Sequence, residues 1–277
     1  MSPRVSVIIP TYRRGELLRE TLASVKAQTF TDFECLIVED GRDESTRAAF
    51  AAYAEDARFS HVSLPHGGMP GRTHNQGIER ARGELCAFVD DDDLWLSDKL
   101  ERQVALLDAE PAVGLCCTRI EEFGARQALW PGGPVPREID LNKLTTGNFV
   151  ATSTVVARTA LLRERGGFSE ELPRAQDYDL WLRCSLVTRL VFLDRVLCRY
   201  RTHHGNISHN QQLSMACVER IFRRLHTEQK LSDGQLERAL SWVLRARARH
   251  EPSLGARWAL RTRGAVAAAK AVLHRRS

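Results

Sequence analysis

Apolar residues over the first hundred positions follow two alternating rhythms. Val5-Ser-Val-Ile-Ile9 is a short β-branched run closed by Pro10, as expected of a strand buried on both faces. Leu18, Leu22 and Val25 then recur at helical spacing in an otherwise polar segment. A second strand-like run, Glu34-Cys-Leu-Ile-Val38, ends at Glu39-Asp40-Gly41. The pattern goes on to predict a helix around Ser45–Ala54, a strand over Phe59–Leu64, a helix over Thr73–Arg82 and a strand over Leu85–Val89. A further helix opens at Ser97, an N-cap residue type, and buries Leu100, Val104 and Leu107. Strands alternating with helices at this spacing predict an α/β fold whose mostly parallel sheet is flanked by helices. Trp130-Pro-Gly-Gly-Pro-Val-Pro136 reads as a loop.

Ligands of such sheets bind beyond the carboxyl ends of the strands. Those ends carry Thr11 and Tyr12, then Glu39 and Asp40, then the run Asp90-Asp91-Asp92-Asp93. Three polar clusters thus point towards one crevice. No GxGxxG follows the first strand and no GxxxxGK[ST] occurs anywhere, which argues against dinucleotide binding and P-loop phosphoryl transfer. Four adjacent carboxylates repel one another unless a cation neutralises some of them. Hard oxygen ligands left partly open suit Mg2+ or Mn2+ shared with substrate phosphates. The alternative is a solvated acidic loop in which Asp93 serves the start of the next helix.

Composition adds bounds. The chain has 277 residues, 43% of them hydrophobic and 27% charged, enough for a sizeable core and too ordered a balance for global disorder. No apolar stretch reaches the roughly 18 residues of a membrane span, and the run in MSPRVSVIIP is too short for a signal peptide. The seven cysteines show neither metal spacing nor a disulfide framework, so buried thiols in a cytoplasmic protein are expected. The net charge of +5 conceals a split: residues 211–277 hold 14 Lys/Arg against 5 Asp/Glu, leaving a mildly acidic body. In that tail Leu236, Leu240, Val243 and Leu244 recur at helical spacing, with Arg238, Arg245 and Arg249 along another side. Arg257, Arg261, Arg263, Arg275 and Arg276 extend the charge. The tail is expected either to pack on the body through its leucines or to touch anionic lipid at the inner face of the cell membrane. Little aromatic interleaving and no recognisable module speak against nucleic acid.

Val5-Ser-Val-Ile-Ile-Pro-Thr-Tyr12, Ile37-Val-Glu-Asp-Gly41, Asn75-Gln-Gly-Ile78 and Gly83-Glu-Leu-Cys-Ala-Phe-Val-Asp-Asp-Asp-Asp-Leu-Trp95 occur in this order. Lys99-Leu-Glu-Arg-Gln-Val104, Gly166-Gly-Phe168, Gln176-Asp-Tyr-Asp-Leu-Trp-Leu-Arg183 and Tyr200-Arg-Thr-His203 follow. As an ordered set, covering residues 4 to 210, they closely resemble family 2 glycosyltransferases of the GT-A fold. The resemblance implies a catalytic domain over 1–210, with a nucleotide-binding part to about 95 and an acceptor-side part over 96–210, followed by a basic helical extension over 211–277. It implies a hexosyltransferase-type enzyme that moves a sugar from a nucleoside diphosphate donor, UDP-linked by preference, to a saccharide or lipid-linked acceptor hydroxyl in surface polysaccharide or glycolipid synthesis, with inversion and with Mn2+ or Mg2+.

Residue by residue, the resemblance places Pro10, Thr11 and Tyr12 at the nucleotide, with the Tyr12 ring against the base. Glu39 matches an acidic position that accepts a hydrogen bond from the base, where aspartate is commoner; Asp40 is its neighbour. Asp90 and Asp92 fall on the two acids of the DxD motif. Asp92 is the metal ligand of the pair, and Asp90 or Asp91 holds the donor ribose or a metal-bound water. Arg72 and His74 compete for a basic role at the diphosphate, and Arg72 has the permanent charge. Asp177 matches the second acid of the Glu-Asp motif and is the expected catalytic base; the preceding acid is replaced by Gln176. Asp179, Leu180 and Trp181 are assigned to structure. His203 matches a histidine that reaches the metal or diphosphate, with His204 as a spare. Gly166-Gly167 resembles a turn beside the acceptor site and serves equally as a helix cap. Two rival readings remain: a non-catalytic nucleotide-sugar binder, which Gln176 alone encourages, and a metal-dependent phosphatase-like enzyme, whose acidic motif belongs after the first strand and not, as here, after about the fourth.

Overall fold

The computed structural model describes residues 2–203, 210–251 and 253–274. The expected alternation opens the chain: β1 (Val5–Thr11), α1 (Gly15–Lys26), β2 (Phe33–Asp40), α2 (Glu44–Ala51), β3 (Phe59–Leu64), α3 (Pro70–Arg80) and β4 (Leu85–Phe88). Next come β5 (Leu94–Trp95), α4 (Lys99–Ala109), β6 (Val113–Gly124), β7 (Ala128–Trp130) and α5 (Leu141–Leu144). A 3-10 turn (Thr152–Thr154), β8 (Val156–Arg158), α6 (Thr159–Glu164), α7 (Gln176–Ser185) and β9 (Arg189–Thr202) complete the sheet half. Three helices end the chain: α8 (Gln211–Thr227), α9 (Asp233–Arg249) and α10 (Leu254–Leu273).

Among the described residues the strands form one sheet in the order β3-β2-β1-β4-β8-β6-β9-β5, with β7 paired to β6. Parallel pairing governs β3-β2-β1-β4. Beyond β4 the sheet is mixed: β8 is antiparallel to β4 and β6, whereas β6 and β9 run parallel. The pleat sorts β1 between two cores. Val5, Val7 and Ile9 join Leu18, Leu22, Leu100 and Val104 on one face, and Ile8 joins Ile78, Phe168 and Trp181 on the other. This is the period-two consequence of a strand buried on both sides.

Local chemistry moves several predicted boundaries. The helix expected from Thr73 starts at Pro70, because proline at the first helical position loses only an N–H that lacks a helical partner anyway. The helix expected from Ser97 starts at Lys99, because the Ser97 carbonyl is taken by the Thr29 amide at 2.9 Å. Trp130 ends β7 opposite Ile120, so the expected loop begins one residue later.

The basic extension is not a separate body. Val218, Ile221, Phe222 and Leu225 of α8 and Ala239 and Val243 of α9 belong to the same core as Phe168 and Trp181. Phe222 and Trp242 also meet Tyr178 of α7 edge to face, at centroid separations of 5.9 and 6.1 Å. All seven cysteines are buried and free of disulfides.

One buried group carries a measurable cost. Lys99 is fully buried, its Nζ lies 4.0 Å from the centre of the Trp95 ring, and among the described residues it has no hydrogen-bond partner. Burial pushes its pKa down to about 7, and the Trp95 face offsets only part of that. The unfolded lysine takes up its proton below about 10.5, whereas the folded one does so only near 7. Stability is therefore lost as pH falls across that interval and no further below it. Replacing Lys99→Met raises the melting temperature by several degrees at pH 7 and flattens the pH dependence of stability between pH 7 and pH 10. Thermal unfolding across that range checks it; an unchanged slope contradicts the assignment.

Candidate active site

The sheet brings the three strand ends together. β4 runs beside β1 with Ile8 opposite Phe88, so the acidic run after β4 emerges next to Thr11 to Arg14. Thr11 Oγ1 donates to Asp91 Oδ2 at 2.7 Å. Arg14 Nη1 lies 3.2 Å from Asp91 Oδ1 and 2.8 Å from Asp92 Oδ2. His203, at the end of β9, places Nε2 3.0 Å from the same Asp92 oxygen; His204 lies outside the described residues. Arg201 closes the cluster from β9. Its amide donates to Asp93 Oδ1 and its Nε to the Asp92 carbonyl, both at 3.0 Å. Asp91, Asp92 and Asp93 are buried and Asp90 is half-buried.

The expected base reaches this cluster through the 3-10 turn. Ser153 Oγ accepts from the Asp90 amide at 3.0 Å and donates to Asp93 Oδ2 at 2.5 Å. One residue earlier, Thr152 Oγ1 donates to Asp177 Oδ2 at 3.3 Å. Asp177 sits in the first turn of α7, where its carboxylate also accepts from its own amide, the Tyr178 amide and Asn148. The residue before that helix, Ala175, is left-handed with φ 58, a costly conformation for alanine that sets the angle at which α7 starts. Asp179 faces away, buried against Arg183 at 2.9 Å and against Arg224. Leu180 and Trp181 are fully buried. These three do structural work, as expected.

The carboxylates feel one another. Burial first, and then the charges of Asp92, Asp91 and Asp177, push Asp90 up to about 7. Burial and Asp92 push Asp91 up to about 6. Asp93 is driven well above the carboxylate range by burial and by Asp92. Asp177 is raised by burial, against the hydrogen bonds it accepts. Among the described residues no three metal-ligating side chains are gathered into a ready cage. The chemistry of the donor set still fits a hard divalent cation: Asp92 and His203 sit side by side at 3.0 Å as an oxygen and a nitrogen donor, and the cluster carries more carboxylate than Arg14 neutralises.

The nucleotide side lies along β1 and β2. Pro10 pairs with Val38 and Thr11 with Glu39. The exposed Tyr12 ring stacks on His66, with centroids 4.6 Å and planes 13° apart, and Arg13 lies over the same ring at 5.2 Å. Glu39 is buried; its Oε2 accepts from Ser63 at 2.6 Å and faces His61 at 3.0 Å. Among the described residues its Oε1 has no partner. Asp40 accepts from the amides of Gly67 and Gly68 at 2.7 and 2.8 Å and so fixes the loop that carries His66. A cleft of ≈ 430 Å³ is lined by Gly41, Arg42, Ser63, Leu64, Pro65 and His66.

The two basic candidates on α3 part company. Arg72 reaches the Pro65 carbonyl at 2.9 Å, on the side of the cleft. His74 is buried instead, stacked on Phe168 at 4.4 Å, and burial pushes its pKa down to about 4. Next to it, Asn75 clips the α6–α7 connection: its Oδ1 accepts from the Phe168 amide at 2.8 Å and its Nδ2 donates to the Phe168 carbonyl at 2.9 Å. Gly166 and Gly167 are both left-handed after α6. A side chain at Gly167 would collide with Asn75, so both the cap and the close approach demand glycine.

Pattern reading passed over Arg14, Thr152, Ser153, Asn148, Arg201 and His66. Arg14 left a trace as one of two arginines just beyond a strand whose neighbour ends in four aspartates, and Arg201 stood unassigned inside Tyr200-Arg-Thr-His203.

A change at the acidic run tests this electrostatic account. An unfolded aspartate gives up its proton near 3.8, but folded Asp90 does so only at about 7. Asp90 therefore costs stability that grows as pH rises through that interval. In chelator, Asp90→Asn gains more thermal stability at about pH 8 than at about pH 5; an equal gain, or a loss, contradicts it.

Comparison with known proteins completes the picture. The profile of Glycosyl transferase family 2 matches residues 6–166. Curated relatives include an uncharacterised glycosyltransferase of Rickettsia felis, 29% identical over 214 residues, covering 73% of this chain and 34% of that protein. Two others are similar along most of their length. One is the UDP-Glc:alpha-D-GlcNAc-diphosphoundecaprenol beta-1,3-glucosyltransferase WfgD of Escherichia coli, 25% identical over 75% of this chain and 80% of its own. The other is the putative teichuronic acid biosynthesis glycosyltransferase TuaG of Bacillus subtilis, 28% identical over 81% and 90%. Among solved structures, S. aureus TarS 1-349 in complex with UDP-GlcNAc superposes with a TM-score of 0.68 at 21% identity, covering 97% of this chain and 90% of that one. The mannosyltransferase PcManGT of Pyrobaculum calidifontis, solved with GDP-Man and Mn2+, gives 0.63 at 20% identity over 96% and 81%. The fold is that of these glycosyltransferases, and the chain belongs to glycosyl transferase family 2.

Proposed function

We propose that this protein transfers a sugar from a nucleoside diphosphate donor to an acceptor hydroxyl, with inversion and with a divalent metal. One observation carries the reading: Asp177 and the Asp90–Asp93 run, far apart in sequence, are tied to a single 3-10 turn through Thr152 and Ser153. A half-buried carboxylate next to that acidic rim supports a proton acceptor beside a metal-bound diphosphate.

Asp177 is the base. Its raised pKa, caused by burial, makes it a better proton acceptor than an ordinary aspartate. It removes the acceptor hydroxyl proton as that oxygen attacks the anomeric carbon, opposite the leaving diphosphate. Thr152, Asn148 and the α7 amides hold the carboxylate in one orientation. Gln176 lies next to the base and supplies no charge, so the missing acid does not remove the proton acceptor. Mn2+ or Mg2+ bound by Asp92, with Asp90 and His203, would stabilise the charge that develops on the departing diphosphate. Arg14 orients Asp91 and Asp92, and Arg72 is the α3 side chain that meets the diphosphate, because His74 is committed to the core.

Pro10, Thr11 and Tyr12 line the base side, and Glu39 reads the base edge. A buried carboxylate oxygen with no partner wants an N–H donor. Uracil, thymine and guanine offer an imino N–H there, whereas cytosine offers a lone pair that a carboxylate repels. UDP is the favoured carrier; UDP-GlcNAc in TarS and the UDP-Glc of the WfgD name point the same way. A saccharide or lipid-linked acceptor in polysaccharide or glycolipid synthesis agrees with the WfgD and TuaG names.

Two experiments test this. Asp177→Asn keeps donor binding within about twofold and lowers transfer by roughly 10²–10⁴, read as nucleoside diphosphate release with acceptor present; unchanged turnover removes the base assignment. A thermal-shift panel with Mn2+ ranks UDP and dTDP above CDP, since a bound ligand raises stability by mass action. In Glu39→Ala that ranking disappears. A panel in which CDP matches UDP contradicts the role of Glu39.

A further inference from the structure

The last helix presents a surface that the sugar-transfer chemistry does not use. α10 is 20 residues long, about 30 Å. It buries a narrow stripe of small residues, Gly264, Ala267 and Ala271. That stripe packs on α9: a Cβ at Gly264 would lie 3.4 Å from Leu244 Cβ. The opposite side is apolar and open. Leu254 is 79% exposed, Trp258 71%, Leu273 67%, Val272 53% and Val266 52%, half of the large hydrophobic residues that the described surface exposes.

Their arrangement is ordered. At 3.6 residues per turn, Leu254, Trp258, Val266, Val272 and Leu273 fall within one sector of roughly 120°, with Gly255, Ala265, Ala269 and Thr262 between them, the Thr262 hydroxyl donating to the Trp258 carbonyl at 3.1 Å. Arg257 and Arg261 flank one edge of that sector, and Arg263 and Lys270 flank the other. No acidic residue follows Glu251, and Arg275 and Arg276 add charge beyond the helix in the sequence. An apolar sector edged on both sides by long cationic side chains suits a helix lying in a lipid interface, where the rings and methyls sink towards the acyl chains and the cations stay at phosphate level. No described helix is long and apolar enough to cross a membrane. A second copy of the same face is a poor partner, because it would set cations against cations with no carboxylate between them.

We propose that α10 docks this protein in the plane of an anionic lipid bilayer, through the Leu254–Trp258–Leu273 sector and its flanking arginines and lysine. The inference stands apart from the sugar-transfer reading, since lipid binding is measured without donor or acceptor. The full chain is floated with vesicles of phosphatidylcholine, with and without phosphatidylglycerol, at low and high salt. It floats with the anionic vesicles, stays behind with phosphatidylcholine alone, and is released by salt. Trp258→Ser and the double change Arg261→Glu/Lys270→Glu each lower the bound fraction by about fivefold or more. Neither alters the melting-temperature shift given by UDP with Mn2+, which separates this outcome from a failure at the nucleotide site. Absence of flotation at low salt overturns the proposal, as does binding unchanged in both variants. A lipid-independent dimer that Trp258→Ser dissolves, without vesicle binding, assigns the sector to a second copy and also overturns it.

Discussion

Four consecutive carboxylates packed at the rim of a buried sheet form the constraint around which the rest of the site is arranged. Like charges at this spacing cannot all ionise in a low-dielectric pocket, and Asp90 and Asp91 show it in pKa values pushed up to about 7 and about 6. The fold supplies partial compensation from three directions. Arg14 arrives from the β1 end, Arg201 and His203 from the end of β9, and Ser153 from the 3-10 turn. None of these completes the neutralisation, and in the proposed function a divalent cation would offset the residual negative charge and so admit a diphosphate.

The surrounding architecture serves alignment. Parallel pairing of β1 with β2 and β4 sets the three strand ends side by side. The Asn75 clip fixes the connection before α7, and the left-handed Ala175 turns that helix so that its first residues meet Thr152. Trp95 Nε1 donates to the Ser153 carbonyl at 2.7 Å, so the short strand after the acidic run also braces the turn that links the acidic run and Asp177. The Trp95 bond is buried and the Asn75 and Thr152 bonds are part-buried, so losing a partner in any of them leaves a polar group poorly solvated.

Much of this was legible in the chain. β-branched runs and helical spacing place the first four strands and the helices between them, because each element buries a face whose period the sequence must repeat. The acidic run, Glu39 and Tyr12 are visible because a strand end is a short local feature. What escaped is non-local. Thr152, Ser153 and Asn148 sit in a loop with no periodic signal, and their importance comes from partners tens of residues away. His74 shares a helix turn with Arg72, yet only packing on Phe168 shows that its ring is committed to the core. The mixed pairing beyond β4 is equally silent, since a half-buried strand carries no mark of its neighbour's direction. The helical spacing in the tail announced an apolar face, and on that face Val243 joins the Trp181 core with Leu236 packed against it.

The proposed function stands on one coupling: a divalent cation would offset the carboxylates of the rim and, in turn, hold the anionic diphosphate beside them. Calorimetric titration of UDP in the presence and absence of Mn2+ measures it directly. At least tenfold tighter UDP binding with Mn2+ is expected, with the same factor for Mn2+ in the presence of UDP, as linkage requires. Equal UDP affinity with Mn2+ and with chelator would contradict the claim.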